Sequence, residues 1–161
     1  MLSGTGNPEK GNQSMNRTLV LALAAFLMAG AAAAHAQEAR RATLYKNPQC
    51  SCCESYADYL RGNGFDVTVK PTNDLAMISH NAGVPEQLEG CHTMFIDGYV
   101  IDGHVPVGIV RRLLSERPSI AGITLPGMPL GSPGMVGTKT APFVVYALPK
   151  DGGAPTVYAR E

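Results

Sequence analysis

The chain has 161 residues, with 13 Lys and Arg against 13 Asp and Glu, 45% apolar residues and 16% charged ones. That length holds one ordinary domain with an appendage and excludes two full-sized domains. A formal charge of zero with no Lys/Arg-rich run excludes a general nucleic-acid binder, and the unusual part of the composition is four Cys, seven Met and four His, all able to bind soft metal ions.

Residues 1–14 are polar and turn-rich and precede a second candidate start at Met15, so they are read as a disordered extension or a mis-called start. From Met15 the chain shows the three parts of a signal peptide: Arg17, an apolar run from Leu19 to Ala34, and the cleavage pattern Ala34-His35-Ala36. The run is about 16 residues, half of them Ala, which is short and weakly apolar for a membrane span. Residues 15–36 are therefore expected to be removed, leaving one domain, 37–161, in a periplasm or outside the cell. Cysteines there usually pair as structural disulfides.

Ala42 to Lys46 reads as a strand ended by Asn47-Pro48. Cys50 to Arg61 reads as a helix with Cys53, Tyr56, Ala57 and Leu60 on one face, closed by Gly62-Asn63-Gly64. Phe65 to Lys70 alternates as a second strand, and Asn73 or Asp74 caps a second helix that runs to about Asn81. Thr93 to Ile96 and Tyr99 to Ile101 form a hairpin around Asp97-Gly98. Pro106 opens a third helix with Val107, Val110, Leu113 and Leu114 inward. Residues 122–137, rich in Gly and Pro, read as an irregular loop, and Pro142 to Leu148 and Pro155 to Ala159 as two last strands. The order β-α-β-α-β-β-α implies an α/β fold: a mixed sheet with flanking helices and a C-terminal β-rich appendage. With cysteines between the first strand and first helix, this is the thioredoxin-like arrangement.

Those cysteines, Cys50-Ser51-Cys52-Cys53, carry the sharpest chemistry. At a helix N-terminus the dipole and free N–H groups favour thiolates. Three thiolates in one turn make a soft, charge-dense anchor for Cu(I), Zn(II) or a cluster. A bridge inside the motif closes almost no loop and stabilises little, so a purely structural disulfide is set aside, while a Cys50/Cys53 redox dithiol stays open. Cys91-His92 opens the third strand, which neighbours the first, so two more soft ligands face the cluster. His104 ends the hairpin and serves equally as a ligand or a turn residue; His80 is expected to face solvent. Met128 and Met135 lie in a Pro/Gly loop with no periodic face to bury, which makes them thioether candidates for Cu(I) as well as packing residues.

Three motifs occur in order: N-P-x-C-x-C-C after a strand, G-C-H-T before F-I-D-G-Y-V-I-D-G-H-V-P, and L-P-G-M-P-L-G-S-P-G-M. Together they resemble the CopG-type periplasmic copper-resistance proteins over about residues 42–159. The resemblance implies a thioredoxin-like domain that binds copper, as a cysteine-bridged Cu(I) cluster, in copper tolerance. Matched residue by residue, it implies Cys50, Cys52, Cys53, Cys91, His92 and His104 as metal ligands, with Met128 and Met135 added. In thioredoxins a cis-proline faces the dithiol at the entry to the third strand; here Gly90-Cys91-His92-Thr93 puts His92 in that place. A His beside a Cys turns an exchange site into a coordination site. The expected function is a periplasmic protein holding Cu(I), with cycling of its oxidation state as a further role. The alternatives are a thiol–disulfide oxidoreductase through Cys50 and Cys53, or a copper metallochaperone. The expected partners are copper ions and a copper efflux system or other periplasmic copper proteins, with no nucleic acid and no membrane after cleavage.

Overall fold

Residues 39–161 are described by a computed structural model. The extension 1–14 and the signal peptide 15–36 expected from the sequence lie outside the described residues. The elements follow in chain order as strand β1 (Arg40–Lys46), helix α1 (Ser51–Gly62), β2 (Phe65–Pro71), α2 (Leu75–Asn81), a 3-10 turn (Glu86–Leu88), β3 (His92–Ile96), β4 (Tyr99–Asp102), α3 (Val107–Glu116), β5 (Gly122–Thr124), β6 (Val144–Leu148) and β7 (Thr156–Arg160). No helix among the described residues is long and apolar enough to cross a membrane.

The strands make one mixed sheet in the order β2-β1-β3-β4-β5-β6-β7. β1 runs parallel to β2 and antiparallel to β3, which in turn pairs antiparallel with β4. The β3–β4 turn is the expected one: Asp97 and Gly98 both have positive φ, 48° and 83°, as a two-residue hairpin requires. Two features differ from the sequence reading. The stretch expected to be wholly irregular begins with β5, whose Gly122 packs so tightly on the Val100 backbone that no side chain fits there. Through β5 the last two strands extend the main sheet rather than standing apart from it.

Alternation along the strands sorts side chains to two faces. On one, Ala42, Leu44, Met94, Ile96, Ile101, Ile123 and Val145 meet Tyr56, Ala57 and Leu60 of α1 and Ile109, Val110, Leu113 and Leu114 of α3. α3 buries Ile109 where the pattern suggested Val107, which is half-buried. On the other face Val84, Val100 and Leu148 form a smaller cluster. Removing a fully buried side chain such as Leu60 is worth about 2–5 kcal/mol. The larger core fixes α1 against the sheet, and with it the cysteines of its first turn.

Candidate metal centre

The motif folds where β1 ends. Asn47 accepts a backbone hydrogen bond from Cys50 at 3.0 Å, closing a turn that sets Cys50 at the helix N-cap. Cys52 and Cys53 follow in the first turn, Cys53 buried and Cys52 half-buried. β3 brings the second set of groups. Gly90 and Gly103 cross so closely that a Cβ on either would strike backbone, the first against Gly103 and the second against Leu125. This crossing explains why glycine precedes both Cys91 and His104, and it holds Cys91, His92 and His104 together on the α1 side of the sheet. None of the described peptide bonds is cis, so His92 enters β3 through an ordinary trans bond.

The sulfur positions are close. Cys52 Sγ is 3.3 Å from Cys50 Sγ and 3.9 Å from Cys91 Sγ, and Cys53 Sγ is 3.5 Å from Cys91 Sγ. Cys50 and Cys53 are bonded to each other, while Cys52 and Cys91 are free. The sequence reading sets aside only a purely structural bridge inside the motif and keeps a Cys50/Cys53 dithiol open. The two cysteines are bridged because a C-x-x-C at a helix start brings their Cα atoms to 5.5 Å. Its short loop still stabilises little. As a chemical group it stores two electrons, and Cys50 and Cys53 can donate to a metal as thiolates only once it is reduced.

The two histidines are buried under Tyr56, whose ring lies 4.6 Å from that of His92 and 5.2 Å from that of His104. The Tyr56 hydroxyl donates to the Val105 carbonyl at 2.8 Å. His104 Nδ1 donates to the Pro133 carbonyl at 2.6 Å, which leaves Nε2 with its lone pair directed at Cys91 Sγ, 2.9 Å away. His92 Nδ1 is 3.7 Å from the same sulfur, and His92 Nε2 is buried with no hydrogen-bond partner among the described residues. Burial, then the neighbouring His104, pushes the His92 imidazole down to about 3, and burial lowers His104 as well. Both rings are thus neutral at ordinary pH, the form that ligates metal. Burial, then the neighbouring Cys52, drives the Cys91 thiol upward, so without a metal it stays protonated.

Two groups of four donors result. Cys50, Cys52, Cys53 and Cys91 form one, and Cys53, Cys91, His92 and His104 the other, with the ligand atoms of each within 4.8 Å of one another. Cys53 and Cys91 belong to both. The structure therefore brings together six of the eight residues expected from the sequence. Of the two methionines, Met128 is 53% exposed. Met135 is half-buried and follows Gly134, whose Cβ position would lie 2.6 Å from the Tyr56 nitrogen and 3.1 Å from the Cys52 carbonyl. The Pro/Gly loop thus folds over the first turn of α1.

Several contributors are not visible in the sequence. Periodicity puts Tyr56 on the core face of its helix but does not reveal its stacking on both histidines. Pro133 acts through a carbonyl, which no residue type signals. Asp102 is buried and accepts hydrogen bonds from the Gly90 backbone and from Thr93 Oγ1, the latter at 2.8 Å, so it braces the strand entry that carries Cys91. Burial raises its carboxyl to about 6, with the same hydrogen bonds opposing the rise. Lys46 is buried behind the cysteine turn, and its signal was available: it occupies the inward parity of Ala42 and Leu44.

A protein-family profile described as "Protein of unknown function, DUF411" matches residues 88–135, which span Cys91, His92, His104 and the methionine loop. Two solved structures, described as forms 2 and 1 of copper resistance protein CopG, are each 34% identical to the chain. Each covers 77% of this chain, with 99% and 98% of its own length matched and TM-scores of 0.71 and 0.70. No curated protein matches the sequence.

Proposed function

The chain belongs to the family of CopG copper-resistance proteins, and from that premise we propose that it takes up copper as Cu(I) at the cysteine–histidine centre, with more than one ion per chain. The observation that carries this reading is the sharing of Cys53 and Cys91 between the two donor groups. A thiolate has lone pairs for more than one soft ion, so donors common to two groups favour bridged ions over one isolated site. The donor chemistry fits: four sulfurs and two neutral imidazoles suit Cu(I), and His92 Nε2, buried without a partner, has an unmet need that coordination would satisfy. The cysteines supply charge and bridging, the histidines cap the buried side, and Met135, on the loop that folds over the first turn of α1, is the thioether candidate. The signal-peptide pattern of residues 15–36 supports a periplasmic setting for this work, in copper tolerance, with copper efflux or other copper proteins there as the proposed recipients.

The Cys50–Cys53 bridge favours a second reading beside the first, in which the motif also exchanges electrons with its cargo. Two thiols that become a disulfide release two electrons and two protons, enough to reduce two Cu(II) to Cu(I). General disulfide exchange with proteins is disfavoured, since His92 occupies the strand entry and Cys52 and Cys91 stand ready to resolve any mixed disulfide. The test is Cu(I) uptake by the reduced and by the bridged chain. The reduced form is expected to bind more than one ion and the bridged form fewer. Equal uptake by both would remove Cys50 and Cys53 from the site.

A further inference from the structure

We propose that Lys46 is a positioning residue of this centre: its ammonium group pins the backbone of the cysteine turn and, as a fixed positive charge, favours the reduced cysteines over the Cys50–Cys53 bridge. The inference rests on the reading that the cysteines work in reduced form. Lysines are almost never fully buried unless paired, and Lys46 is 2% exposed. Its Nζ donates to the carbonyls of Asn47 at 3.3 Å, Pro48 at 3.2 Å and Cys50 at 3.2 Å, and pairs with Glu54 Oε1 at 3.2 Å. Four acceptors thus surround one ammonium group, three of them carbonyls of the turn that leads into the motif, those of Asn47, Pro48 and Cys50.

Position explains why a cation is used. Lys46 is the last residue of β1, where the ladder stops at Pro71 on one side and at His92 on the other. The carbonyls beyond it turn away from any strand partner, and an ammonium group with three donors satisfies them from within. An apolar residue, as the parity of Ala42 and Leu44 would suggest, would strip the ammonium donor from all three and leave the Pro48 carbonyl unpaired at about 1–3 kcal/mol, since Asn47 still accepts from the Cys50 amide. The same placement sets a positive charge beside Cys50, through the carbonyl contact at 3.2 Å, and opposite His92 in the β1–β3 register. Glu54, half-exposed on the first turn of α1, offsets that charge from the outer side. The bridge is uncharged, whereas a reduced cysteine at the helix start is favoured as a thiolate, so the two charged groups pull on the equilibrium in opposite directions.

The step in question is the reduction of the bridge by a low-molecular-weight thiol such as glutathione. The Cys50–Cys53 bond breaks, two electrons pass to its sulfurs, the two protons given up by glutathione go to those sulfurs or, where a thiolate forms, to solvent, and two glutathiones leave joined as their disulfide. The metal-free protein is equilibrated anaerobically with glutathione buffers of known ratio, trapped by alkylation, and the Cys50/Cys53 peptide quantified by mass. Lys46→Met is expected to shift the equilibrium about tenfold toward the bridge, a potential about 30 mV lower. Lys46→Arg is expected to stay near the parent. Glu54→Gln is expected to shift it several-fold toward the dithiol. A merely structural lysine gives the opposite sign, because loosening the turn makes the bridge easier to reduce. The proposal is overturned if Lys46→Met favours the dithiol or changes nothing. Should Lys46→Met not fold, a Glu54→Gln equilibrium that is unchanged or moves toward the bridge overturns it. The readout needs no copper, so a chain that shows these shifts yet binds no Cu(I) would refute the proposed function and leave this role standing.

Discussion

His92 is buried to 0% exposure between Tyr56 and His104, and the environment that keeps it neutral makes it sensitive to acid. Its folded value of about 3 lies below the ordinary 6.5, so the folded state binds the proton less well than the unfolded state. The stability this contributes is complete above about pH 6.5 and is lost as pH falls toward 3, by up to about 1.4 kcal/mol per unit. His104 acts in the same direction, whereas Asp102, raised to about 6 from 3.8, contributes stability at low pH that is lost as pH rises through 6. The difference between parent and His92→Gln isolates one ring. Urea midpoints of the metal-free protein at pH 7, 6 and 5 are expected to fall more steeply in the parent than in His92→Gln, and parallel falls would refute the assignment. At the same scale, Cys91→Ser is expected to lower copper stoichiometry as much as Cys53→Ser, measured by metal content after anaerobic loading, since both sulfurs serve both donor groups. The cysteines and histidines were legible in the sequence because their residue types announce their chemistry. Tyr56 and the Pro133 carbonyl were not, because a core tyrosine and a backbone oxygen acquire their roles only from what the fold places beside them; for Lys46 the parity marks the inward position but not the carbonyls it meets.

Among the elements, the Pro/Gly loop carries the clearest consequence. Gly134 has φ of +79° and lies against the Tyr56 backbone, so an added methyl group must strain the backbone and push the loop off α1. Gly134→Ala is expected to lower stability by about 1–3 kcal/mol and to weaken Cu(I) binding as well, through the Pro133 carbonyl that orients His104. Chemical denaturation and chelator competition on one preparation check both, and loss of stability with unaltered affinity would separate the loop from the site. Met135→Leu conserves volume and is expected to lower Cu(I) affinity with little change in melting temperature, whereas exposed Met128→Leu is expected to do less. Equal effects would contradict that ranking. The helices and the hairpin were legible from periodicity and turn chemistry. β5 was not: at three residues it is too short for a period, and it is defined by its partners β4 and β6 rather than by its own sequence.

For the whole molecule, the parallel β1–β2 pair and the antiparallel β1–β3 pair place the helix start and the β3 entry at one end of the sheet, which brings Cys53 and Cys91 together across 38 residues. The order of elements predicted this meeting. The continuation of the sheet through β5 to β7 was not foreseen, because pairing of strands distant in sequence leaves no local mark. One continuous fold gathers four cysteines and two histidines into two donor groups that share Cys53 and Cys91, and the proposed function puts several Cu(I) ions there. The most direct test is an anaerobic competition titration of the fully reduced protein against a Cu(I) chelator of known affinity. More than one tightly held Cu(I) per chain is expected, with the count reduced in Cys91→Ser. One ion or none per chain, or a count that Cys91→Ser leaves unchanged, would contradict it.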